Sequence, residues 1–182
     1  SGQTCVAYRV RAWPLGSPRG SSGLGRTSSE AHWSRFWRDR SEIDEVYTTE
    51  GRVVDQILAE GPVQGRRVLE VGAGSGRDSV ALAEARGVAF VLDYSMASLG
   101  VARAVAARSG SRVHLIRADA LNLPFRDGAF DVVFHQGLLE HFRDPMPLLV
   151  ENVRVLAGRG LLLVDVPQRF HLYTVLKHVL IA

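Results

Sequence analysis

A loop with glycine at every second position is the strongest constraint that this chain of 182 residues places on its fold. A short apolar segment, residues 68–71, leads into the loop, and an apolar run with helical spacing, residues 80–85, follows it. The loop glycines are Gly72, Gly74 and Gly76. Glycine lets the backbone turn sharply and places no side chain between it and a ligand. The free amide groups of the following helix point toward the loop. The segment therefore predicts a site for the polar end of a small nucleotide-like molecule at the end of a parallel strand.

The spacing of the glycines separates this loop from the dinucleotide fingerprint G-x-G-x-x-G. That fingerprint needs glycine at position 77, where this chain has Arg77. A nicotinamide-dependent oxidoreductase would share the fold, so we keep it as the less favoured alternative.

Five apolar segments of strand length alternate with helical segments along the chain. They cover residues 68–71, 88–92, 113–116, 130–135 and 161–166. Repeated strand–helix–strand units with continuous apolar strands predict an α/β fold, in which helices wrap a parallel sheet. Asp93 follows the second strand, at the edge where such sheets bind ligands. Its two oxygens can accept hydrogen bonds from both hydroxyls of a ribose, although an acid in this place can also cap the next helix.

From about residue 51 to residue 167, these motifs and their order resemble the class I S-adenosylmethionine-dependent methyltransferases, most closely the small-molecule, quinone-biosynthesis-like subgroup. The resemblance implies a Rossmann-like, doubly wound sheet with three α/β/α layers, here without its last two strands. It also implies S-adenosylmethionine as the cofactor, S-adenosylhomocysteine as the product, and in-line transfer of a methyl group to a small-molecule acceptor. The cofactor contacts that it implies are Glu70, Gly72, Ala73, Gly74, Gly76, Asp93, Tyr94, Met96, Asp119, Ala120, Gln136 and Leu139.

The sequence does not identify a definite catalytic residue. Glu140 and His141 follow the fourth strand and are the nearest candidates for a general base, which is needed only if the acceptor must lose a proton. A histidine beside a glutamate is more often a structural hydrogen-bonding residue, and Asp119 followed by Ala120 can simply start a turn. A non-catalytic module that binds S-adenosylmethionine is therefore the main alternative to an enzyme.

The chain is predicted to divide into an amino-terminal tail and a methyltransferase domain. Residues 1–28 contain no acidic residue and are rich in Ser, Gly, Pro and Arg, which predicts a disordered tail rather than a targeting peptide. Residues 29–182 form the predicted methyltransferase domain, and residues 29–60 within it form a predicted helical lid. Aromatic residues recur there at helical spacing. Trp33, Trp37 and Tyr47 are the candidates for covering the cofactor and acceptor, with core packing as the alternative for the two tryptophans.

Charge and cysteine content disfavour several other classes of protein. Residues 1–40 carry seven arginines against two acids, which is +5, and the other residues carry fifteen bases against seventeen acids, which is −2. The slightly acidic body disfavours a nucleic-acid partner. The single cysteine, Cys5, excludes an internal disulfide framework, the histidines lack metal-ligand spacing, and no apolar run approaches the ~20 residues of a membrane span. We expect a cytoplasmic protein that could self-associate through the unpaired edge of its fifth strand.

Overall fold

The computed structural model describes residues 3–9, 27–38 and 51–167. The strands in these ranges are β1 (Gln3–Arg9), β2 (Arg67–Val71), β3 (Val88–Asp93), β4 (Val113–Arg117), β5 (Phe130–Gln136) and β6 (Leu156–Pro167). The α-helices are α1 (Glu30–Arg38), α2 (Arg52–Ala59), α3 (Arg77–Glu84), α4 (Met96–Ser109) and α5 (Met146–Val155), and a 3-10 turn covers Leu139–His141.

The strands form one sheet in the order β1-β6-β5-β2-β3-β4. Strands β2 to β6 are parallel, which confirms the α/β fold predicted from the sequence. The chain proceeds from β2 through β3 and β4 in one direction, and then returns to add β5 and β6 on the other side of β2. Strands β2 and β5 therefore meet at a topological switch point, where sheets of this kind bind ligands.

Each face of the sheet has its own apolar layer, because successive side chains of a strand point to opposite faces. On one face, Val68 and Phe134 pack with residues of α2 and α3, and Val91 packs with residues of α4. On the other face, Leu69 and Val133 pack with residues of α5. The result is the three-layer α/β/α arrangement that the resemblance implied.

The amino-terminal segment corrects one expectation. Residues 1–28 were expected to form a disordered tail, but Gln3–Arg9 form β1. All seven residues of β1 pair antiparallel with residues 161–167 of β6. The prediction was wrong for this segment because it averaged composition over a window dominated by the Ser, Gly and Pro residues that follow, and so hid a short run of strand-forming Thr, Val and Tyr. Residues 10–26 lie outside the described residues.

The same pairing changes the edge of the sheet. Strand β1 covers the side of β6 from which we expected self-association, so that particular reason for association is wrong. No further strand follows β6 within the residues that the structure describes. Within these ranges, no helix combines the length and the apolar character needed to cross a membrane.

The predicted lid, residues 29–60, separates into two helices with different positions. Helix α1 packs near α4, where the hydroxyl oxygens of Ser34 and Ser95 lie 3.2 Å apart. Helix α2 instead buries Val53 and Ile57 against the sheet. The prediction for Tyr47 falls in residues 39–50, which lie outside the described residues.

Candidate functional site

A cavity of about 230 Å³ lies at the carboxyl edge of the sheet, beside the switch point between β2 and β5. It is bordered by the loops after four of the parallel strands and by helix α1, and most of its wall is apolar. Its lining residues are Ser28, Trp33, Phe36, Trp37, Gly72, Gly74, Leu92, Asp93, Tyr94, Ala118, Ala120, Gln136, Gly137, Leu138, His141 and Phe142.

The loop after β2 adopts a left-handed backbone at all three glycines. The φ angles are 66° at Gly72, 55° at Gly74 and 64° at Gly76. A Cβ atom on Gly72 would also lie 2.6 Å from Leu138 Cδ1, and one on Gly76 would lie 3.0 Å from the Cβ atom of Ala102. The backbone conformation and the close packing therefore both require glycine here.

Asp93 ends β3 and is only 6% exposed. Its Oδ2 accepts a hydrogen bond from the Gly74 amide at 3.1 Å, and its Oδ1 accepts one from the Ser95 amide at 2.8 Å. Burial raises the pKa of Asp93, and these hydrogen bonds oppose the rise. The cap of α4 is Ser95, whose Oγ accepts from the Ser98 amide, so the alternative that Asp93 is the cap is wrong. Two backbone amides instead fix the Asp93 carboxylate at the cavity wall.

Glu70 lies behind the glycine loop and is 5% exposed. Its Oε2 accepts hydrogen bonds from Ser79, at 2.6 Å from Oγ and 3.1 Å from the amide. Burial and the neighbouring Asp78 raise the pKa of Glu70 to about 8, and burial also raises the pKa of Asp78. Both carboxyl groups border a second, smaller and more polar cavity. Its lining residues are Glu70, Gly72, Ala73, Ser75, Arg77, Asp78 and Gln136. A cationic group entering this cavity would favour the ionised form of both acids.

Helix α1 is tied to the loop after β5. The rings of Trp33 and His141 meet edge to face, with centroids 4.8 Å apart. Trp33 Nε1 donates to Ser28 Oγ at 2.8 Å, and the backbone amide and hydroxyl of Thr27 both donate to the His141 carbonyl. These contacts hold the aromatic face of α1, including buried Trp37, against the cavity.

The structure brings most of the predicted site residues to one of the two cavities. Those that line the main cavity are Gly72, Gly74, Asp93, Tyr94, Ala120, Gln136, His141, Trp33 and Trp37. Those that line only the smaller cavity are Glu70 and Ala73. Those that line neither are Gly76, Met96, Asp119, Leu139 and Glu140.

Three of the residues outside the cavities have other surroundings. Met96 is 54% exposed at the start of α4. Leu139 packs in the core, and its neighbour Leu138 lines the cavity instead. Asp119 Oδ1 accepts a hydrogen bond from the Leu121 amide at 2.8 Å, which is the turn-starting contact that the sequence left open. Cofactor contacts by these three residues stay predictions.

The two candidate bases differ in position and in ionisation. His141 lines the main cavity, and burial lowers its pKa, so its imidazole is neutral near pH 7 and can accept a proton. Burial raises the pKa of Glu140, which lines neither cavity. His141 is therefore the better placed of the two for general-base chemistry.

Sequence reasoning missed several lining residues, most of them small or apolar. They are Ser28, Phe36, Leu92, Ala118, Gly137, Leu138 and Phe142. Two of them carried a usable signal. Phe36 shares the helical spacing of Trp33 and Trp37, and Gly137 follows β5 directly, where its φ of 61° makes the turn. Within the described ranges, no group of three or more His, Cys, Asp or Glu side chains is arranged to hold a metal ion.

Comparison with known proteins agrees with this geometry. Residues 69–164, which are 96 of the 182 residues, match the family described as "Methyltransferase domain". The chain belongs to the class I S-adenosylmethionine-dependent methyltransferases. This confirms the resemblance read from the sequence, and together with Arg77 it disfavours the nicotinamide-dependent alternative.

The names of individual relatives of this chain refer to different small molecules. The demethylmenaquinone methyltransferase of Thermus thermophilus is 38% identical over 115 residues, which are 62% of this chain and 51% of that protein. The 27-O-demethylrifamycin SV methyltransferase of Amycolatopsis mediterranei is 33% identical over 130 residues, which are 69% of this chain and 47% of that protein. The crystal structure of the YcgJ protein from Bacillus subtilis matches with a TM-score of 0.59 and 26% identity, over 63% of this chain and 50% of that one. The chain spans about half the length of the curated relatives it matches.

Proposed function

We propose that this methyltransferase binds S-adenosylmethionine at the carboxyl edge of its sheet and transfers the methyl group to a small-molecule acceptor. The observation that carries the proposal is the buried Asp93 carboxylate. Backbone amides of Gly74 and Ser95 fix its orientation at the wall of a cavity that begins at the glycine loop. A fixed carboxylate in this place suits a pair of ribose hydroxyls.

The surroundings of Asp93 fit the other two parts of the cofactor. Leu92, Ala118 and Ala120 form an apolar wall on the β3 and β4 side of the main cavity, which suits the adenine ring. Glu70 and the smaller cavity lie on the other side of the glycine loop. Carboxyl groups with raised pKa values suit the ammonium group at the amino-acid end. The cofactor would therefore extend across the switch point from β4 toward β5.

When bound, the cofactor supplies a methyl group on a positively charged sulfur, which an acceptor nucleophile attacks in line. The protein holds the two reactants in this alignment and excludes water. Trp33, Phe36 and Phe142 supply the aromatic wall that suits an apolar acceptor. His141 accepts the proton where the acceptor is a hydroxyl group.

Two further features support a small, apolar acceptor. The names of several relatives refer to quinone and rifamycin compounds. Residues 41–182 carry a net charge of −2, fifteen bases against seventeen acids, which does not suit a nucleic acid. We also propose a cytoplasmic location, as expected from the sequence.

Equilibrium titration tests the cofactor assignment. We expect saturable binding of S-adenosylhomocysteine and none of NADH, and the opposite result would overturn the proposal. Turnover is then tested with S-adenosylmethionine and a panel of apolar phenols and quinols. Binding without turnover on any acceptor would favour the non-catalytic module.

A further inference from the structure

We infer that Asp165 and Arg52 are positioning residues that orient the side-chain amide of Gln136, so that its carbonyl oxygen faces the ammonium group of the bound cofactor. This inference deepens the proposed function and rests on it. Neither Asp165 nor Arg52 belongs to a motif recognised in the sequence. In this inference both residues act on the cofactor only through Gln136.

Asp165 stands at the carboxyl end of β6, directly beside Gln136 in the register of β5 and β6. Its side chain is 1% exposed, and its backbone carbonyl accepts from the Gly137 amide at 3.0 Å. Burying a carboxylate is strongly unfavourable unless hydrogen bonds and a counter-charge compensate for the lost water. An acid in this place therefore calls for a specific reason.

The side chains of Gln136 and Arg52 both donate to the same oxygen of the Asp165 carboxylate. Oδ2 accepts from Gln136 Nε2 at 3.0 Å and from a guanidinium nitrogen of Arg52 at the start of α2. An ionised carboxylate can only accept hydrogen bonds. A flipped Gln136 amide would bring its own oxygen against that carboxylate, so Asp165 selects one of the two amide orientations. In that orientation the carbonyl oxygen of Gln136 faces away from Asp165.

Gln136 is placed where such an oxygen matters. Gln136 and Gly72 are the two residues that border both the main and the smaller cavity. Gly72 has no side chain, so Gln136 supplies the side chain at the junction. Glu70 and Asp78 also line the smaller cavity, and burial keeps the pKa of both carboxyl groups raised although Arg77 lies beside them, so an additional cationic group would favour their ionised form. A fixed carbonyl oxygen at this junction adds a further acceptor for an ammonium group.

The competing explanation is that the Arg52–Asp165 ion pair only fastens α2 to β6. Two ligands separate the explanations. S-adenosylhomocysteine carries the amino-acid end, whereas 5′-methylthioadenosine carries the adenine, ribose and sulfur without it. A positioning role affects the first ligand alone. A purely structural role affects both ligands equally, or lowers thermal stability and neither affinity.

The experiment titrates both ligands into the wild-type chain and its variants. We expect Asp165→Ala and Gln136→Leu each to weaken S-adenosylhomocysteine about tenfold, the effect of one ordinary hydrogen bond, and 5′-methylthioadenosine less than about twofold. Asp165→Asn keeps an oxygen that can accept from both donors and should retain most of the affinity. The double variant should bind no more weakly than Gln136→Leu alone, because Asp165 acts through Gln136.

A control variant and a substitute variant complete the experiment, and each possible failure has its own pattern of affinities. Asp131→Ala removes a carboxylate at the opposite end of β5, where it accepts from the Arg67 amide at 2.8 Å, and should leave both affinities unchanged. If Asp165→Ala does not fold, Arg52→Met and Gln136→Leu carry the same test. Additive losses in the double variant, or equal losses for the two ligands, would overturn the inference alone. A wild-type chain that binds neither ligand would overturn the proposed function and the inference with it.

Discussion

The two edges of the parallel sheet differ in how fully their acidic side chains are compensated by neighbouring donors and cations. At the amino edge, Arg154 donates to both carboxylate oxygens of Glu151, to Asp127, and to the backbone carbonyls of Leu123 and Phe125, over distances of 2.7 to 2.9 Å. Burial alone would raise the pKa of Glu151, but the hydrogen bonds from Arg154 bring it below its ordinary value. This edge neutralises its own charges.

At the carboxyl edge, Asp165 is paired with Arg52, but the hydrogen bonds that Glu70 and Asp93 accept do not offset the effect of burial. Burial raises the pKa of Glu70, Asp78, Asp93 and Glu140. The backbone there also adopts left-handed conformations at several glycines. Groups whose charged form is disfavoured within the protein itself are typical of sites where a ligand supplies the missing partner. The difference therefore separates a supporting edge from a binding edge of the same sheet.

The largest expected effect comes from Gly74→Val. A branched side chain resists a φ of 55° and would occupy the space of the ligand, so we expect S-adenosylhomocysteine binding to fall by more than about a hundredfold. Calorimetric titration of the folded variant measures this. The matched control is Gly110→Val, a left-handed glycine at the end of α4 with open space around it, which should cost stability but not affinity. Unchanged affinity in Gly74→Val would refute the assignment of the loop.

Asp93→Ala should have the next largest effect. It removes the acceptor of two ribose hydroxyls, each worth roughly 1.5–3 kcal/mol when the acceptor is charged, and it frees the Gly74 and Ser95 amides. The affinity of Asp93→Asn should fall between the affinities of the wild type and Asp93→Ala, because the amide keeps one oxygen that accepts hydrogen bonds. Titration of S-adenosylhomocysteine against both variants checks this. If both bind like the wild type, Asp93 serves only to shape the loop.

The parts of this molecule that could be predicted are those with a local signal. The parallel strands follow from continuous apolar runs, and the glycine loop and Asp93 follow from their position at strand ends. Strand β1 was hidden by the composition around it. Leu139 was predicted one position away from Leu138, which lines the cavity, because the direction of a side chain in a 3-10 turn depends on the tertiary packing.

The contacts that could not be predicted join residues far apart in the chain. Arg52 and Asp165 are 113 positions apart, and Gln136 and Asp165 are 29 apart. Neither pair has a characteristic spacing, because the strand order alone brings them together. The spacing of the aromatic residues predicted a helix in the lid. The contact between Trp33 of that helix and His141 could not be predicted, because the tertiary fold brings the two residues together.

The pH dependence of the unfolding free energy should show the raised pKa of Glu70. Its pKa is about 8 in the folded chain and 4.5 in its ordinary state, so between these values the folded state holds a proton that the unfolded state has lost. The stability contribution is complete below pH 4.5 and disappears as the pH rises through about 8. Glu70→Gln removes this titration. We expect the wild type to lose on the order of 2–3 kcal/mol relative to the variant between about pH 5.5 and 7.5.

Urea unfolding of both proteins across this range measures the difference. Buried His135, whose pKa burial lowers to about 4, titrates with the opposite sign, since protonation of the unfolded state destabilises the fold as the pH falls below 6.5. His135 is present in both proteins, so its contribution cancels in the comparison. A difference that is independent of pH would mean that Glu70 is already ionised in the folded chain.

The smallest expected effect tests the amino edge. Asp127 is 58% exposed and lies 2.9 Å from Arg154, so its ion pair is largely screened by water. Arg154 keeps its other four hydrogen bonds in Asp127→Asn, and we expect stability to change by less than about 0.5 kcal/mol. Arg154→Ala, in contrast, removes the counter-charge and both guanidinium hydrogen bonds of Glu151, which then keeps only the Leu123 amide as a donor, and it leaves the carbonyls of Leu123 and Phe125 without the guanidinium; it should lower the unfolding midpoint clearly. Neither variant should change the affinity for S-adenosylhomocysteine. A loss of affinity in either would mean that the two edges are coupled through the sheet, and that the amino edge is more than a support.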